Sequence, residues 1–307
     1  MRSTLLILAI AAILTPAQPA QQAPPGTEVY LMALPQDPSA HDGPTTWINI
    51  SNSPGYDNQP SFLPDSSAVL FSSNRDGKQT DIYRYDLATK ALKQLTNTVD
   101  LEYSPAVTPD GKTFSVIRQA AADGTQLLVR YDLATGAHHS VVFENVKPVG
   151  YHAWIDATHV AMFVLGSPAT LQIGDTNTGA AEVAATGIGR SVLVRPGRGT
   201  VSYITTGANR MVREFDVKQR TGRDLFTPIE GSQDAVWTPK GDELWMANNG
   251  TQILRRVVDE PAGSWKHMFN LIVMPGSAAN PAIKGITRLA ISPNGRWLAF
   301  VAEPADK

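Results

Sequence analysis

Short apolar runs alternate with polar turn residues along most of the chain, and residues 60–96 show this pattern most completely. Four runs there have the composition or the two-residue alternation of β-strands, and turn signals rich in Pro, Asp, Asn and Gly separate them. The unit has no stretch with 3.6-residue periodicity, so the pattern predicts a four-stranded antiparallel sheet. The four runs lie around Phe62, Ala68–Phe71, Ile82–Tyr85 and Ala91–Thr96.

Imperfect copies of this unit follow through the rest of the chain. The run Tyr131-Asp-Leu-Ala-Thr repeats the run Tyr85-Asp-Leu-Ala-Thr 46 residues later. A period of 40 to 50 residues with four strands per unit is typical of β-propeller blades. The spacings between successive first turns are 45, 46, 41, 43 and 54 residues. The residues at those turns are Pro64, Pro109, Ile155, Pro196, Pro239 and Pro293.

The last copy supplies only two strands before the chain ends, whereas the N-terminus supplies two strand-like runs with no hairpin in front of them. These runs are Thr27–Leu34 and Trp47–Ile50. We predict one shared blade, with two inner strands from the C-terminus and two outer strands from the N-terminus, because this closure leaves no bare lateral edge. The predicted fold is therefore all-β: a single six-bladed propeller over residues 27–307, with four antiparallel strands per blade and the last blade closed by N-terminal strands.

The N-terminal residues have the three parts of a secretory signal. A basic start at Arg2 precedes an apolar run from Leu5 to Leu14 and then small residues suited to cleavage. The run is shorter than the roughly 20 residues of a membrane span. We expect residues 1–20 to be a signal peptide and 21–26 a linker; the alternative is an uncleaved interfacial anchor. The expected location is the periplasm or the outside of the cell, with no membrane span after signal cleavage.

The overall charge narrows the set of partners. The chain has a formal net charge of -2, a pI of about 6.3 and no cysteine. This balance favours neither nucleic acid nor an anionic membrane as partner. Without cysteine the fold has no disulfides, although an exported protein could form them. We expect a monomer whose partner is a protein, a peptide or a small molecule in the cell envelope.

The repeat resembles that of TolB-like six-bladed propellers. Residues 60–83 carry the pattern Pro-x-Phe-x-Pro-Asp, then an apolar run, Arg-Asp-Gly and Ile-Tyr, with Ser66 where the family usually has Gly. The second copy keeps Pro105 and Pro109-Asp-Gly, and the sixth keeps Ser292-Pro-Asn-Gly. The resemblance implies the propeller fold. It does not imply one function, because related repeats occur in periplasmic scaffold proteins, in gating propellers of oligopeptidases and in several enzymes.

A short polar run precedes each repeat. In a propeller the first strand of each blade lines the central channel, so these runs are predicted to converge on one channel mouth and form a ligand pocket. The alternative is that they cap strand starts and neutralise one another. The sequence predicts no catalytic residue, no metal ligand and no cofactor. The candidate ligand-binding residues are Asp57, Asn58, Glu102, Tyr103, Tyr151, His152, Arg190, Asp234 and Arg288.

Three functions are compatible with these residues. The first is an exported, non-enzymatic propeller that binds a peptide, protein or small ligand at the channel mouth. The second is a metal-assisted hydrolase or lactonase, in which Glu102, Asp234 and Asn58 would hold a divalent ion in the channel. The third is the gating propeller of a peptidase whose hydrolase domain has been lost or resides in another chain. The first is preferred because the sequence has a mixed polar ring and lacks a catalytic motif.

Overall fold

The computed structural model describes residues 26–35, 46–260, 263–271 and 280–305. These residues form 24 strands joined by turns and loops, and none of them is helical. Accordingly, the described ranges contain no helix with the length and apolar character needed to cross a membrane. The expected signal peptide at 1–20 lies outside the described residues, as does the expected linker except for Gly26.

The strands follow the turn pattern of the sequence, because each hairpin turn is local to the two strands that it joins. Two strands precede the first full blade: β1 (Glu28–Ala33) and β2 (Trp47–Asn49). Blade 1 consists of β3 (Asp57–Phe62), β4 (Ala68–Ser73), β5 (Asp81–Asp86) and β6 (Leu92–Gln94). Blade 2 consists of β7 (Leu101–Val107), β8 (Thr113–Gln119), β9 (Gln126–Asp132) and β10 (His138–Val141).

The next three blades repeat the same antiparallel order. Blade 3 consists of β11 (Val149–Trp154), β12 (His159–Val164), β13 (Thr170–Asp175) and β14 (Ala180–Thr186). Blade 4 consists of β15 (Ile188–Arg195), β16 (Thr200–Thr205), β17 (Val212–Asp216) and β18 (Thr221–Phe226). Blade 5 consists of β19 (Ala235–Trp237), β20 (Glu243–Ala247), β21 (Gln252–Val257) and β22 (Lys266–Asn270).

Blade 6 joins the two ends of the chain, as the sequence predicts. It contains β23 (Ile283–Ile291) and β24 (Trp297–Pro304), and its strand order is β2-β1-β24-β23. Strand β1 pairs with β24 over six residues, from Glu28 opposite Ala302 to Ala33 opposite Trp297. The C-terminal segment therefore gives the two inner strands and the N-terminal segment the two outer ones. The predicted six-bladed all-β propeller is confirmed.

The core is divided among the contacts between blades. Buried apolar side chains of the described residues form six clusters, and each cluster joins two neighbouring blades. Strand β1 shows why, since Val29 and Leu31 face blade 1 whereas Tyr30 and Met32 face blade 5. Successive side chains of a strand point to opposite faces, so each blade contributes to two clusters. The ring of contacts positions the first strands around one axis.

Candidate functional site

Equivalent positions on the six first strands line one central cavity. The pairing of β3 with β4 places Phe62 opposite Val69, and the other five blades have a corresponding pair. Three residues before that position, each blade contributes one side chain to a cavity of about 560 Å³. This volume is in the range of small-molecule sites. We refer to the six side chains as the channel ring: Gln59, Ser104, Tyr151, Ser191, Asp234 and Arg288.

A local backbone irregularity directs several of these side chains inward. Gln59, Ser104 and Arg288 occupy equivalent positions and have positive φ values of 58°, 53° and 42°. In each case the register between the first and second strand shifts at that point. An extra residue of this kind rotates the strand and re-aims the side chains that follow it. In blades 1, 2 and 6 the bulge therefore decides which residue of the polar run faces the axis.

The cavity extends from the channel ring toward the hairpin turns that join first and second strands. Its wall there is mostly apolar, and the turn residues Pro196 and Pro293 lie at its far end. Small side chains such as Ala106 and Ala153 leave the axis open. The wall also includes Pro60, Pro105, Val107, Trp154, Leu193, Val194, Val236, Trp237 and Leu289.

One ionic network connects four blades at the ring. Arg190 donates to Asp234 from Nε at 3.2 Å and from Nη2 at 2.6 Å. Arg288 donates from Nη1 to the same carboxylate and from Nη2 to the hydroxyl of Tyr151 at 2.7 Å. The Arg288 guanidinium also lies 4.8 Å from the centre of the Tyr151 ring. Although burial raises the pKa of Asp234, the charges of Arg288 and Arg190 outweigh it, so the pKa is lowered and the carboxylate is ionised.

Two tyrosines lie at the end of the channel where the first strands begin. The rings of Tyr56 and Tyr103 meet edge to face, with centroids 6.4 Å apart. Burial raises the pKa of Tyr56; nearby Tyr151 and Tyr103 raise it further, whereas Arg288 and Arg190 lower it. Tyr56 precedes Gln59 of the channel ring by three residues, so it lies on the strand-start side of the ring.

His152 lines the cavity but is already engaged with blade 2. Its Nε2 lies 2.6 Å from Oγ of Ser115, which also accepts a hydrogen bond from Nε1 of Trp154 at 2.8 Å. Burial lowers the pKa of His152 to about 3, so the ring is neutral at physiological pH. Ser115 is fully buried, so this serine–histidine pair offers no nucleophile to the cavity.

The structure places Asp57 and Asn58 away from the cavity, between blades 6 and 1. Asn58 donates from Nδ2 to Oγ1 of Thr27 at 3.3 Å, and its Oδ1 accepts from the backbone of Gln59. Asp57 is fully buried, and Nη2 of Arg75 lies 3.9 Å from its Oδ1. Burial is the main cause that raises the pKa of Asp57 to about 6. Both side chains are therefore enclosed at the contact between two blades and do not line the cavity.

Glu102 occupies the equivalent position between blades 1 and 2. It is fully buried and accepts hydrogen bonds from Oγ1 of Thr98 at 2.5 Å, Oγ1 of Thr96 at 3.3 Å and the Tyr131 hydroxyl at 3.1 Å. Burial is the main cause that raises its pKa to about 8, with a further contribution from Asp81. Glu102 is therefore part of the packing between blades and does not line the cavity.

The three residues that could have formed a metal site do not meet. Glu102 contacts threonines of blade 1, Asn58 contacts Thr27, and Asp234 is held by two arginines. Arginine charges next to a carboxylate oppose cation binding. Among the residues that the structure describes, no group of three or more His, Cys, Asp or Glu side chains is arranged to hold a metal ion.

Sequence reasoning identified the polar runs but not always the residue that faces the axis. It selected Asp57 and Asn58 from a run whose cavity-lining member is Gln59, and it omitted Ser104 and Ser191. The sequence does contain a feature that identifies the cavity-lining residues: five members of the channel ring lie five residues before the first-turn proline of their blade. Tyr151 lies four residues before its turn, since that hairpin is one residue shorter.

Comparisons with known proteins identify the fold through structure only. No family model matches the sequence, and no curated protein matches it either. A structure from Agrobacterium tumefaciens described as a TolB superposes with a TM-score of 0.66 and 15% identity, over 91% of this chain and 99% of that chain. TolB from Acinetobacter baumannii gives a TM-score of 0.57 and 15% identity, over 90% of this chain and 64% of that chain.

An enzyme has a similar fold. An oligogalacturonate lyase in complex with manganese gives a TM-score of 0.51 and 21% identity, over 77% of this chain and 68% of that chain. The same architecture thus carries proteins of different function, so the likeness assigns the fold and leaves the activity to the site. The closed ring of six four-stranded blades and its structural neighbours show that this chain has the six-bladed β-propeller fold that the TolB structures also have.

Proposed function

We propose that the protein is an exported, non-catalytic propeller that binds a peptide, a protein segment or a small ligand in its central channel. The observation that carries this proposal is the cavity of about 560 Å³ to which all six blades contribute. Four ring or ring-adjacent side chains from different blades form one polar network in it, among apolar walls. Apolar walls with a few convergent polar groups are typical of ligand sites.

The site offers binding groups and no arranged catalytic set. Asp234 is held by two guanidinium groups, which oppose its protonation, and His152 is neutral and bonded to a buried serine. Neither has the surroundings of a general base directed into the cavity. Of the ligand residues expected from sequence, the proposal retains Tyr151, Arg190, Asp234 and Arg288 as binding groups, with His152 and Tyr103 as neighbours.

A channel-blocking substitution tests the proposal. Ala106→Phe fills the axis without removing a charge, because Ala106 lies on the cavity wall. Wild-type and variant proteins would be immobilised and exposed to the same mixed library of peptides and small molecules. We expect the ligands selected by the wild type to be lost in Ala106→Phe but kept in Ala88→Phe, which makes the same change on an exposed turn. Equal selection by Ala106→Phe would place the binding surface outside the channel.

Export is tested separately from binding. Expressed from its full sequence in a bacterium, the protein is expected in the periplasmic or secreted fraction, with a new N-terminus between Ala17 and Ala23. Mass spectrometry of the purified protein identifies that terminus. An intact N-terminus on protein recovered from the membrane fraction would support an uncleaved interfacial anchor and contradict this part of the proposal.

A further inference from the structure

We infer that the channel ligand ends in a carboxylate that binds Arg190 beside Arg288. The ligand enters from the hairpin-turn side with the carboxylate end first. The inference rests on the proposed function, because it specifies what the same cavity binds. Three observations carry it: the charge of the cavity, the hydrogen-bond donors that remain free in it, and the position of the cationic network at one end of it.

The described lining of the cavity has an excess of positive charge. Its charged side chains are Arg190 and Arg288 against the single carboxylate of Asp234, which leaves one positive charge. His152 does not alter this sum, because burial holds its pKa near 3. An unbalanced charge between low-dielectric walls attracts a counterion more strongly than the same charge in water. The complementary ligand group is therefore an anion.

Donors remain available for that anion. Arg190 bonds Asp234 through Nε and Nη2, so both hydrogens of its Nη1 have no partner among the described residues. The Tyr151 hydroxyl accepts from Arg288 and can still donate its own hydrogen. The Arg190 side chain is 34% exposed, so a ligand can reach it. Guanidinium and hydroxyl donors at the end of a cavity suit the two oxygens of a carboxylate.

The cationic network lies at one end of the cavity. Arg190, Asp234 and Arg288 are on the side where the first strands begin. The cavity continues in the other direction to Pro196 and Pro293 at the hairpin turns. A ligand that enters there meets the apolar wall first and the cationic network last. Its charged group must therefore be at its leading end.

The wall defines the rest of the ligand. Between the network and the turns, the described wall residues carry no charge and include Trp154, Trp237 and Val194. The segment behind the carboxylate should accordingly be uncharged and largely apolar. Two sources have this chemistry: the C-terminus of an apolar peptide, and a small aliphatic carboxylic acid.

Matched probes test the inference by isothermal titration calorimetry. One pair is a short Ala/Leu peptide with a free C-terminus and the same peptide amidated; the other pair is hexanoate and hexanamide. We expect the carboxylate of at least one pair to bind about tenfold or more tightly than its amide, because a charge-assisted hydrogen bond contributes that much. Binding by the peptide alone or by hexanoate alone supports the inference and identifies the source.

Variants then locate the anion. Arg190→Gln should reduce carboxylate binding to the level of the amide, whereas Arg220→Gln, at an exposed ion pair with Glu182, should leave it unchanged. If Arg190→Gln fails to fold, the wild type still provides a test, since its carboxylate affinity should fall as salt rises and its amide affinity should not.

Several results would overturn the inference. These are equal binding of acid and amide, no binding of either acid, and full carboxylate affinity in Arg190→Gln. These outcomes differ from the outcomes that would refute the proposed function. A neutral or cationic library ligand that Ala106→Phe excludes would refute the carboxylate and keep the channel. Ligands that bind Ala106→Phe as well as wild type would refute the channel itself.

Discussion

Asp81 of blade 1 and Glu102 of blade 2 accept hydrogen bonds from the same residue, Thr98, across the contact between the two blades. Oγ1 of Thr98 donates to Glu102 at 2.5 Å and its backbone N–H donates to Asp81 at 3.4 Å. Burial is the main cause that raises the pKa of each carboxyl, that of Glu102 to about 8. The buried pair therefore retains a proton at neutral pH.

This proton links stability to pH. The folded pKa of Glu102 lies above its ordinary value of 4.5, so the folded state binds the proton more tightly than the unfolded state does. The stabilisation is complete below about pH 4.5 and is lost as pH rises through about 8. We predict that Glu102→Gln removes much of the fall in the free energy of unfolding between pH 5 and 8, measured by urea denaturation.

Glu182→Gln is the matched control for Glu102→Gln, because the Glu182 side chain is 64% exposed and lies in a surface ion pair. Its stability should follow the wild-type pH profile. The pH profile of each variant is compared with that of the wild type, because a second group also makes stability depend on pH. Buried His152 stays neutral in the fold, so it destabilises the folded state as pH falls from 6.5 toward 3, which opposes the effect of Glu102. An unchanged slope in Glu102→Gln would contradict the shared proton.

Closure of the ring through β1 predicts a large effect of a single N-terminal side chain. Met32 is fully buried between blades 5 and 6. Met32→Ala should lower the free energy of unfolding by about 2–5 kcal/mol, because it removes buried methylene groups and leaves a cavity. Ile48→Ala on the neighbouring β2 is the control, since Ile48 is 47% exposed. Equal, small effects of both in urea denaturation would mean that β1 is dispensable.

A buried ion pair of blade 4, at its contact with blade 5, should behave differently from a surface pair. Arg195 is 2% exposed; it donates to the carbonyl of Gly241 at 2.7 Å and lies 3.3 Å from Glu214, which is 3% exposed. We predict that Arg195→Ala costs about 3–5 kcal/mol, because Glu214 is left buried with less compensation. Arg220→Ala should cost less than about 1 kcal/mol, as exposed ion pairs contribute little. Thermal and urea unfolding measure both, and equal costs would refute the distinction.

Tyr56 lies on the strand-start side of the channel ring, and we predict that its ring limits access to the cavity from that side. Tyr56→Ala should open a second route to the cavity and increase quenching of Trp154 and Trp237 by acrylamide, since both tryptophans line the wall. Tyr56→Phe keeps the ring and should behave like the wild type. Stern–Volmer constants measured for the three proteins test this. If Tyr56→Ala is quenched no more than Tyr56→Phe, then the tyrosine ring does not close that end.

The sequence determined the parts of this structure that depend on neighbouring residues. Turns such as Pro64–Ser67 and the alternation around Ile82–Tyr85 locate strands because backbone preference and strand period act over a few residues. Their repetition gives the number of blades. The pairing of β1 with β24 was predictable as well, because two strands at each end of the chain lacked partners and pairing them completes a sixth blade and covers their exposed edges.

Only the tertiary structure decided which residues face the channel and which face a neighbouring blade. Asp57 and Glu102 lie within the predicted polar runs, yet the bulges at Gln59 and Ser104 direct other side chains to the axis. A shift of one residue in strand pairing exchanges the two faces of a strand, and the local amino-acid composition does not reveal that shift. The contact of Arg288 with Tyr151 spans 137 residues, so it exists only because the ring closes.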